Sequence, residues 1–252
     1  MTKAFTEQIF RTSYKDDHRD SDGYHRVLFN SGRALQAREL TQLQTIIQKE
    51  LSRLGSNLFK DGAPIQPPQP NINNGYEFVK ISATTAFPSN LTTLNNVVFT
   101  GQTSGLKVKV YEAVAATSSD PQTLYIQYLD IPSGSAGTFI PRLEPGETIS
   151  GTVSGSTLNL TVQTTNTTTN PAVGVGFLFS VGEGSFFTQG HFVFCPAQSL
   201  IVSKYTNNPN ATVGFKVVQD IVTSSDDEDL FDNQGAVPNR SSPGADRYRI
   251  RR

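Results

Sequence analysis

Carboxylates cluster at two places in the chain, at the first of them together with imidazoles. The first, KDDHRDSDGYHR (15–26), sets Asp16, Asp17, His18, Asp20, Asp22 and His25 around Gly23. Oxygen ligands at alternate positions ahead of a glycine resemble the front of a calcium loop, which a glutamate six residues after the glycine would close. Position 29 is Phe, so the bidentate ligand is missing and a solvated charged turn is expected. The second cluster, SSDDEDLFDNQG (224–235), holds Asp226, Asp227, Glu228, Asp229 and Asp232. These could bind calcium or cap a helix start from Ser224 or Ser225. No ligand spacing is met, so a solvent loop is the expectation.

Nucleophilic chemistry has few candidates. The single cysteine, Cys195, lies in HFVFCP between aromatics with no neighbouring base to lower its pKa, and is expected to be a buried strand residue. One cysteine also excludes an internal disulfide framework. His191, in GHFVF, sits in a strand pattern where packing is the more ordinary role. Glycoside cleavage needs paired acids in an aromatic-lined cleft, and a chain without Trp makes a polysaccharide groove a poor expectation. There is no G-x-S-x-G, H-E-x-x-H or phosphate-binding loop. The expectation is a protein that is not an enzyme, with no cofactor and no metal.

Charge narrows the partners. Only 17% of the residues are charged and the net charge is -1. Such a weak field argues against nucleic acid or an electrostatically held membrane surface. No run of 18 apolar residues occurs and the N-terminus lacks an apolar signal core, so synthesis in the cytosol without a membrane span is expected. Without a secretory signal, the Asn-x-Ser/Thr triplets carry no glycan argument.

The elements that would position any site fall into four segments. Residues 1–30 read as an extended arm anchored by single aromatics (Phe5, Phe10, Tyr14, Tyr24, Phe29). Residues 31–75 hold a helix and a Pro/Asn hinge. In the helix, Leu40, Leu43, Ile47, Leu51, Leu54 and Leu58 recur at steps of three and four, one face of a 3.6-residue period. Asn30 or Ser31 is the expected N-cap, and Gly55 the expected closing residue. The stripe needs a cover, either the chain's own β core or the same stripe on partner chains. Two and a half to three heptads can make a short coiled coil, and the slip from Leu51 onward suits a globular face equally well. The hinge, DGAPIQPPQPNINNG (61–75), is extended chain and a domain boundary.

Residues 76–165 carry the short runs YEFVKIS, NNVVFTG, GLKVKVYEAV, QTLYIQYLDI, TFIPRLEPGETISG and STLNLTVQ, punctuated by Gly, Pro, Asn and Ser. They predict a small antiparallel barrel or sandwich. Residues 166–252 form a second β region with a loop-like tail, after a Thr/Asn stretch. The fold class is therefore mainly β with one long N-terminal α-helix. The small antiparallel β-barrel or sandwich is inserted between an N-terminal helical segment and a C-terminal β region.

Two blocks carry a family resemblance. YHRVLFNSGRALQARELTQLQTIIQKELSRLGSNLFKDGAPI (24–65) and SLIVSKYTNNPNATVGFKVVQDIVTSSDDEDLFDNQGAVPNRSSPGADRYRI (199–250) resemble a family of tailed-bacteriophage virion structural proteins. The resemblance implies a component of a contractile-tail baseplate or an attached tail fibre, assembled in the host cytoplasm and carried in the virion. It implies a homotrimer whose other partners are baseplate and tail-fibre proteins. The interface residues it and the stripe nominate are Arg38, Glu39, Leu40, Leu43, Gln44, Ile47, Leu51 and Leu54. Gln42, Gln44 and Gln48 could hydrogen-bond across such a seam, and Arg38 and Glu39 could make its polar contacts. The alternative is a receptor-binding fibre module that recognises a cell-surface glycan or protein.

Overall fold

The computed structural model describes residues 10–85, 87–129, 142–232 and 239–251. In chain order the elements are the helix α1 (Ala37–Leu58), then β1 (Pro64–Gln66), β2 (Pro70–Lys80), β3 (Val98–Gly101) and β4 (Lys107–Val114). They continue with β5 (Thr123–Tyr128), β6 (Thr148–Val153), β7 (Ser156–Thr161), β8 (Val173–Val181) and β9 (Gly184–Thr188). The last are β10 (His191–Cys195), β11 (Gln198–Ser203), β12 (Val218–Val222), β13 (Phe231–Asp232), β14 (Asn239–Pro243) and β15 (Arg247–Arg251). The protein is mainly β with one long helix and antiparallel pairing.

The elements assort into two compact units. The barrel unit is formed by the described residues of Pro70–Ser180 and Ser199–Val213. The helix unit is formed by the described residues of Met1–Gln69, Val181–Gln198 and Gly214–Arg252. The boundary after Gln69 falls inside the Pro/Asn segment, but that segment is not a bare hinge: it supplies β1 and the start of β2. The first and last parts of the sequence fold into one unit, and the helix is not a module apart from the C-terminal strands.

The barrel unit follows from alternation. In β4, Val108 and Val110 point inward and Lys107 and Tyr111 outward, as the two-residue period requires. The sheet order is β11-β8-β2-β5-β4-β3-β6-β7. Its end returns on itself: Ile81, just past β2, bridges antiparallel to Val162, just past β7. Ser82 N–H donates to Thr161 C=O at 2.8 Å and Gln163 N–H to Lys80 C=O at 2.9 Å. Strands β2 to β7 thereby close into a barrel, which leaves β8 and β11 as an added flap. Val79, Ile81, Leu94, Phe99, Leu124, Ile149, Leu160 and Val162 fill the barrel. Each is fully buried, so closure brings strands distant in sequence onto one apolar interior. The run expected at 138–151 becomes strand only from Thr148, and its residues 138–141 lie outside the described residues.

In that unit the charged side chain of Lys80 is placed on an aromatic surface. Its Nζ lies 3.9 Å from the Tyr205 ring centroid and donates to Asn170 Oδ1 at 2.6 Å. Burial lowers its pKa from the ordinary lysine value. The ring face and the amide replace part of the lost hydration.

In the helix unit, β1, β9 and β10 form a three-stranded sheet in that order, and β12 pairs with β15. The β9–β10 turn has Gln189 at φ 52° and Gly190 at φ 82°. Two consecutive positive φ values make the tight hairpin whose twist matches its strands. The strand expected over 212–223 forms only at Val218–Val222.

Two helix boundaries differ from expectation. Asn30 does not cap a helix; its C=O accepts the Arg33 N–H at 3.3 Å across a turn that Gly32 completes at φ 79°. The helix begins at Ala37, where Glu39 reaches back to accept the Gln36 N–H at 2.9 Å, as in a capping box. Gly55 does not end it. The helix runs on to Leu58, and Gly55 is buried within it.

Candidate functional site

Helix α1 presents its two faces in an unexpected order. Leu40 is 45%, Ile47 53%, Leu51 50%, Leu54 59% and Leu58 65% exposed. With Leu43 they occupy about 80° of the helix circumference. The packed residues lie on the rest of the circumference, some of them bordering the stripe, and apart from Ile46 they are small or polar. Thr45 and Ser52 are half-buried there, and Ile46 and Gly55 are buried. Small side chains let backbone and ring approach closely: a Cβ on Gly55 would lie 2.7 Å from Phe187 Cζ. Gly190, at the β9–β10 turn, is held equally close to Ser52. The apolar stripe is therefore uncovered in the chain.

The N-terminal arm occupies much of the polar side, and it is held by carboxylates more than by aromatics. Asp16 is buried, accepts from the Thr45 hydroxyl, and accepts the His18 N–H at 3.1 Å. Asp20 Oδ1 lies 3.2 Å from Lys49 Nζ and 2.9 Å from Arg53 Nη2. Its hydrogen bond with Lys49 is the main reason its pKa falls below the usual carboxylate value. Asp17 pairs with Arg38 at 3.1 Å. The acidic run is thus a zipper onto the helix. Among the described residues, no three His, Cys, Asp or Glu side chains gather as a metal site. Of the expected aromatic anchors, Phe10 packs edge-on against Tyr248 at 5.3 Å, whereas Tyr24 and Phe29 remain exposed. Phe5 lies outside the described residues.

The nominated interface residues divide accordingly. Leu40, Ile47, Leu51 and Leu54 share the exposed stripe, Leu43 lies half-buried at its edge, and Gln44 flanks it on the other side. Arg38 and Glu39 already have partners in the chain, Asp17 with Gln36 for the first and the Gln36 N–H for the second.

The turn after α1, Phe59–Lys60–Asp61–Gly62, locks the helix to the hairpin. Asp61 Oδ1 accepts the Gln189 N–H at 2.7 Å, and Gly62 N–H donates to Phe187 C=O at 2.8 Å. Phe59 packs on both Phe187 and Phe192. At the far end of the chain, Asp220 on β12 accepts two bonds from Arg249 on β15, at 2.9 and 2.8 Å. The Arg249 hydrogen bond lowers the Asp220 pKa. Tyr14 donates to Asp246 Oδ2 at 2.7 Å, so the arm and the C-terminal segment meet. In the described part of the acidic segment, 224–232, Asp226 accepts from Thr223, Asp227 caps the turn at Glu228–Leu230, and Glu228 pairs with Arg240 at 2.6 Å.

Sequence reasoning passed over one concavity. A cleft of about 770 Å³ lies between the end of α1 and the hairpin, lined by Ser52, Asn57, Lys60, Gln189, His191 and Tyr248 among others. Desolvation lowers the His191 pKa and raises that of Tyr248, so both favour their neutral forms. The glycines and the GHFVF run marked this hairpin, but nothing local in the sequence placed it beside residues 52–61. Cys195, as expected, is buried in a strand.

No helix among the described residues is long and apolar enough to cross a membrane. A family model described as a domain of unknown function, DUF4815, matches residues 12–121. The match covers the arm from residue 12, α1 and the chain through β4. No curated protein and no solved structure matches this chain.

Proposed function

We propose that this chain is a structural component of a phage tail. It acts as a baseplate or proximal tail-fibre adaptor that joins fibres to the baseplate through contacts with its own copies and with other tail proteins. The observation that carries this reading is the uncovered apolar face of α1. The helix unit exposes more large apolar side chains than it buries, whereas the barrel unit does the reverse. An apolar stripe that long marks an interaction surface. Covering five half-exposed aliphatics contributes roughly 4–7 kcal/mol gross per copy. Association costs an estimated ~4–15 kcal/mol, so one helix pair alone is marginal and a multi-copy seam or further contacts are required. The resemblance of the 24–65 and 199–250 blocks to tail proteins supplies the biological setting.

Peptide mass spectrometry of purified particles, with Fab labelling of their tails in electron micrographs, tests the assignment. The chain in the particle with label at the baseplate is expected. Its absence from the particle overturns the proposal, and label at the distal fibre tip replaces it with a receptor-binding role.

A further inference from the structure

We propose that Lys80 and Asn170 join covalently, the lysine Nζ displacing ammonia from the asparagine side chain to form an isopeptide bond. Both residues lie in the barrel unit, and the link is independent of where in a tail the protein sits.

Alternation along β2 sets the geometry. Val79 and Ile81 point into the barrel, so Tyr76, Phe78 and Lys80 face the other way, toward the flap of β8 and β11. There Lys80 is only 2% exposed. Its Nζ lies 3.9 Å from the Tyr205 ring centroid and 5.6 Å from that of Phe78. A lysine so deeply buried ordinarily pairs with a carboxylate. Asp120, whose charge acts on Lys80, is bonded instead to Lys204 Nζ at 2.6 Å. The hydrogen-bond partner of Lys80 Nζ is the side-chain carbonyl of Asn170, at 2.6 Å.

Main-chain bonds hold both reactants. Lys80 N–H donates to Ala172 C=O at 2.8 Å, and Gln163 N–H donates to Lys80 C=O at 2.9 Å. Asn170 N–H is shared between Thr167 C=O at 3.1 Å and Thr167 Oγ1 at 3.0 Å. Ala172 N–H donates to Asn166 Oδ1 at 3.1 Å, and Pro171 fixes the backbone between them. Asn170 Cγ is one C=O bond, about 1.2 Å, beyond Oδ1, so it lies within about 3.8 Å of Nζ. Rotation at the end of the lysine side chain brings Nζ to the ~3–3.5 Å of a near-attack arrangement while both backbones stay in place.

Burial lowers the Lys80 pKa and so raises the share of neutral amine, the nucleophilic form. The Nζ lone pair attacks Asn170 Cγ, and Oδ1 takes up the displaced electron pair. A proton passes from Nζ to Nδ2, with Asp120 as its relay. The carbonyl re-forms as the Cγ–Nδ2 bond breaks, and ammonia leaves. An Nζ–Cγ amide remains, and nothing is oxidised or reduced. Asn170 is exposed, so the ammonia has a direct path to solvent. The bond ties β2 to the loop that enters β8, between residues 90 apart in sequence. It therefore clamps the flap to the barrel and restricts the unfolded chain.

Intact-mass and peptide analysis of the purified full-length protein tests this. The wild type is expected to weigh one ammonia, about 17 Da, less than its sequence. A trypsin digest should contain a branched peptide joining Lys80 to Asn170. Lys80→Arg and Asn170→Ala should show the full sequence mass and no branched peptide, with circular dichroism to confirm folding. Asp120→Asn should lower the linked fraction at least about tenfold in samples of equal age. Wild-type protein that trypsin cleaves after an unmodified Lys80 overturns the proposal, whether or not the variants fold. A loss of ammonia that persists in Lys80→Arg overturns it too, since Asn74–Gly75 can lose ammonia by cyclising on its own backbone. Full linkage in Asp120→Asn overturns the proton relay.

Discussion

Replacing Gly55 by alanine tests which side of α1 faces its own unit, on which the functional reading depends. In an exposed helix interior the substitution stabilises by about 0.8–1.0 kcal/mol, because alanine loses less backbone entropy. Here the added Cβ would lie 2.7 Å from Phe187 Cζ and 3.2 Å from its Cδ2. Phe187 is itself buried and wedged between Phe59 and Phe192, at centroid distances of 6.0 and 5.3 Å. It has little room to withdraw, and overpacking of this kind costs about 1–3 kcal/mol. The net expectation is a loss of about 1 kcal/mol. Urea unfolding followed at 222 nm reports on this helix. Ser56→Ala, on the next and exposed position, serves as the reference and should gain a few tenths of a kcal/mol. Adding Phe187→Leu to Gly55→Ala should recover part of the loss, a coupling expected only of residues in contact. If Gly55→Ala instead stabilises by about 1 kcal/mol, the hairpin does not cover this side of α1. The exposed stripe, and the seam built on it, would then fall together.

Asp20→Asn should release the arm by removing its contacts with Lys49 and Arg53, and trypsin cleavage at Lys15 and Arg19 should accelerate about two- to fivefold, the scale of exposed ion pairs. High salt should do the same to the wild type and act less on the variant, which keeps only the Asp17–Arg38 pair in this part of the arm. Because the folded pKa of Asp20 is depressed, its contribution is present above the ordinary carboxylate range and is lost as pH falls through the lower folded value. Equal cleavage rates at both salt concentrations would refute this. His191 is held neutral by desolvation, with its folded pKa lowered, so the unfolded chain takes up its proton first on acidification. The native state therefore loses stability as pH falls below about 6.5 toward the folded value. His191→Gln should flatten the fall in Tm between pH 7.5 and 5.5, and an unchanged slope would show the imidazole to be solvated.

The barrel strands were legible because each carries its own alternating pattern, as Val108 and Val110 do beside Lys107 and Tyr111. The helix was legible through its stripe, and Cys195 through its aromatic neighbours. The N-cap was misplaced because Gly32 turns the chain where Asn30 and Ser31 offered local caps, and Glu39 supplies the cap later. Gly55 reads as a terminator in isolation; its role is set by Phe187, more than a hundred residues on in sequence. The acidic run 15–26 gave no sign of its partners, since Lys49, Arg53 and Thr45 lie more than twenty residues away.

The sequence by itself determined where the long helix and most of the barrel strands lie, and that α1 carries an aliphatic stripe, because periodicity is a property of neighbours along the chain. Only the tertiary structure decided that the stripe faces outward. That outcome is a competition among distant groups: the arm's carboxylates and the Phe187 hairpin satisfy the small, polar side of α1. Their ion pairs and close ring contacts form only when residues 10–20, 45–62 and 186–191 come together. Closure of the barrel at Ile81 and Val162 is of the same kind, a bridge between positions 81 residues apart that no local pattern encodes.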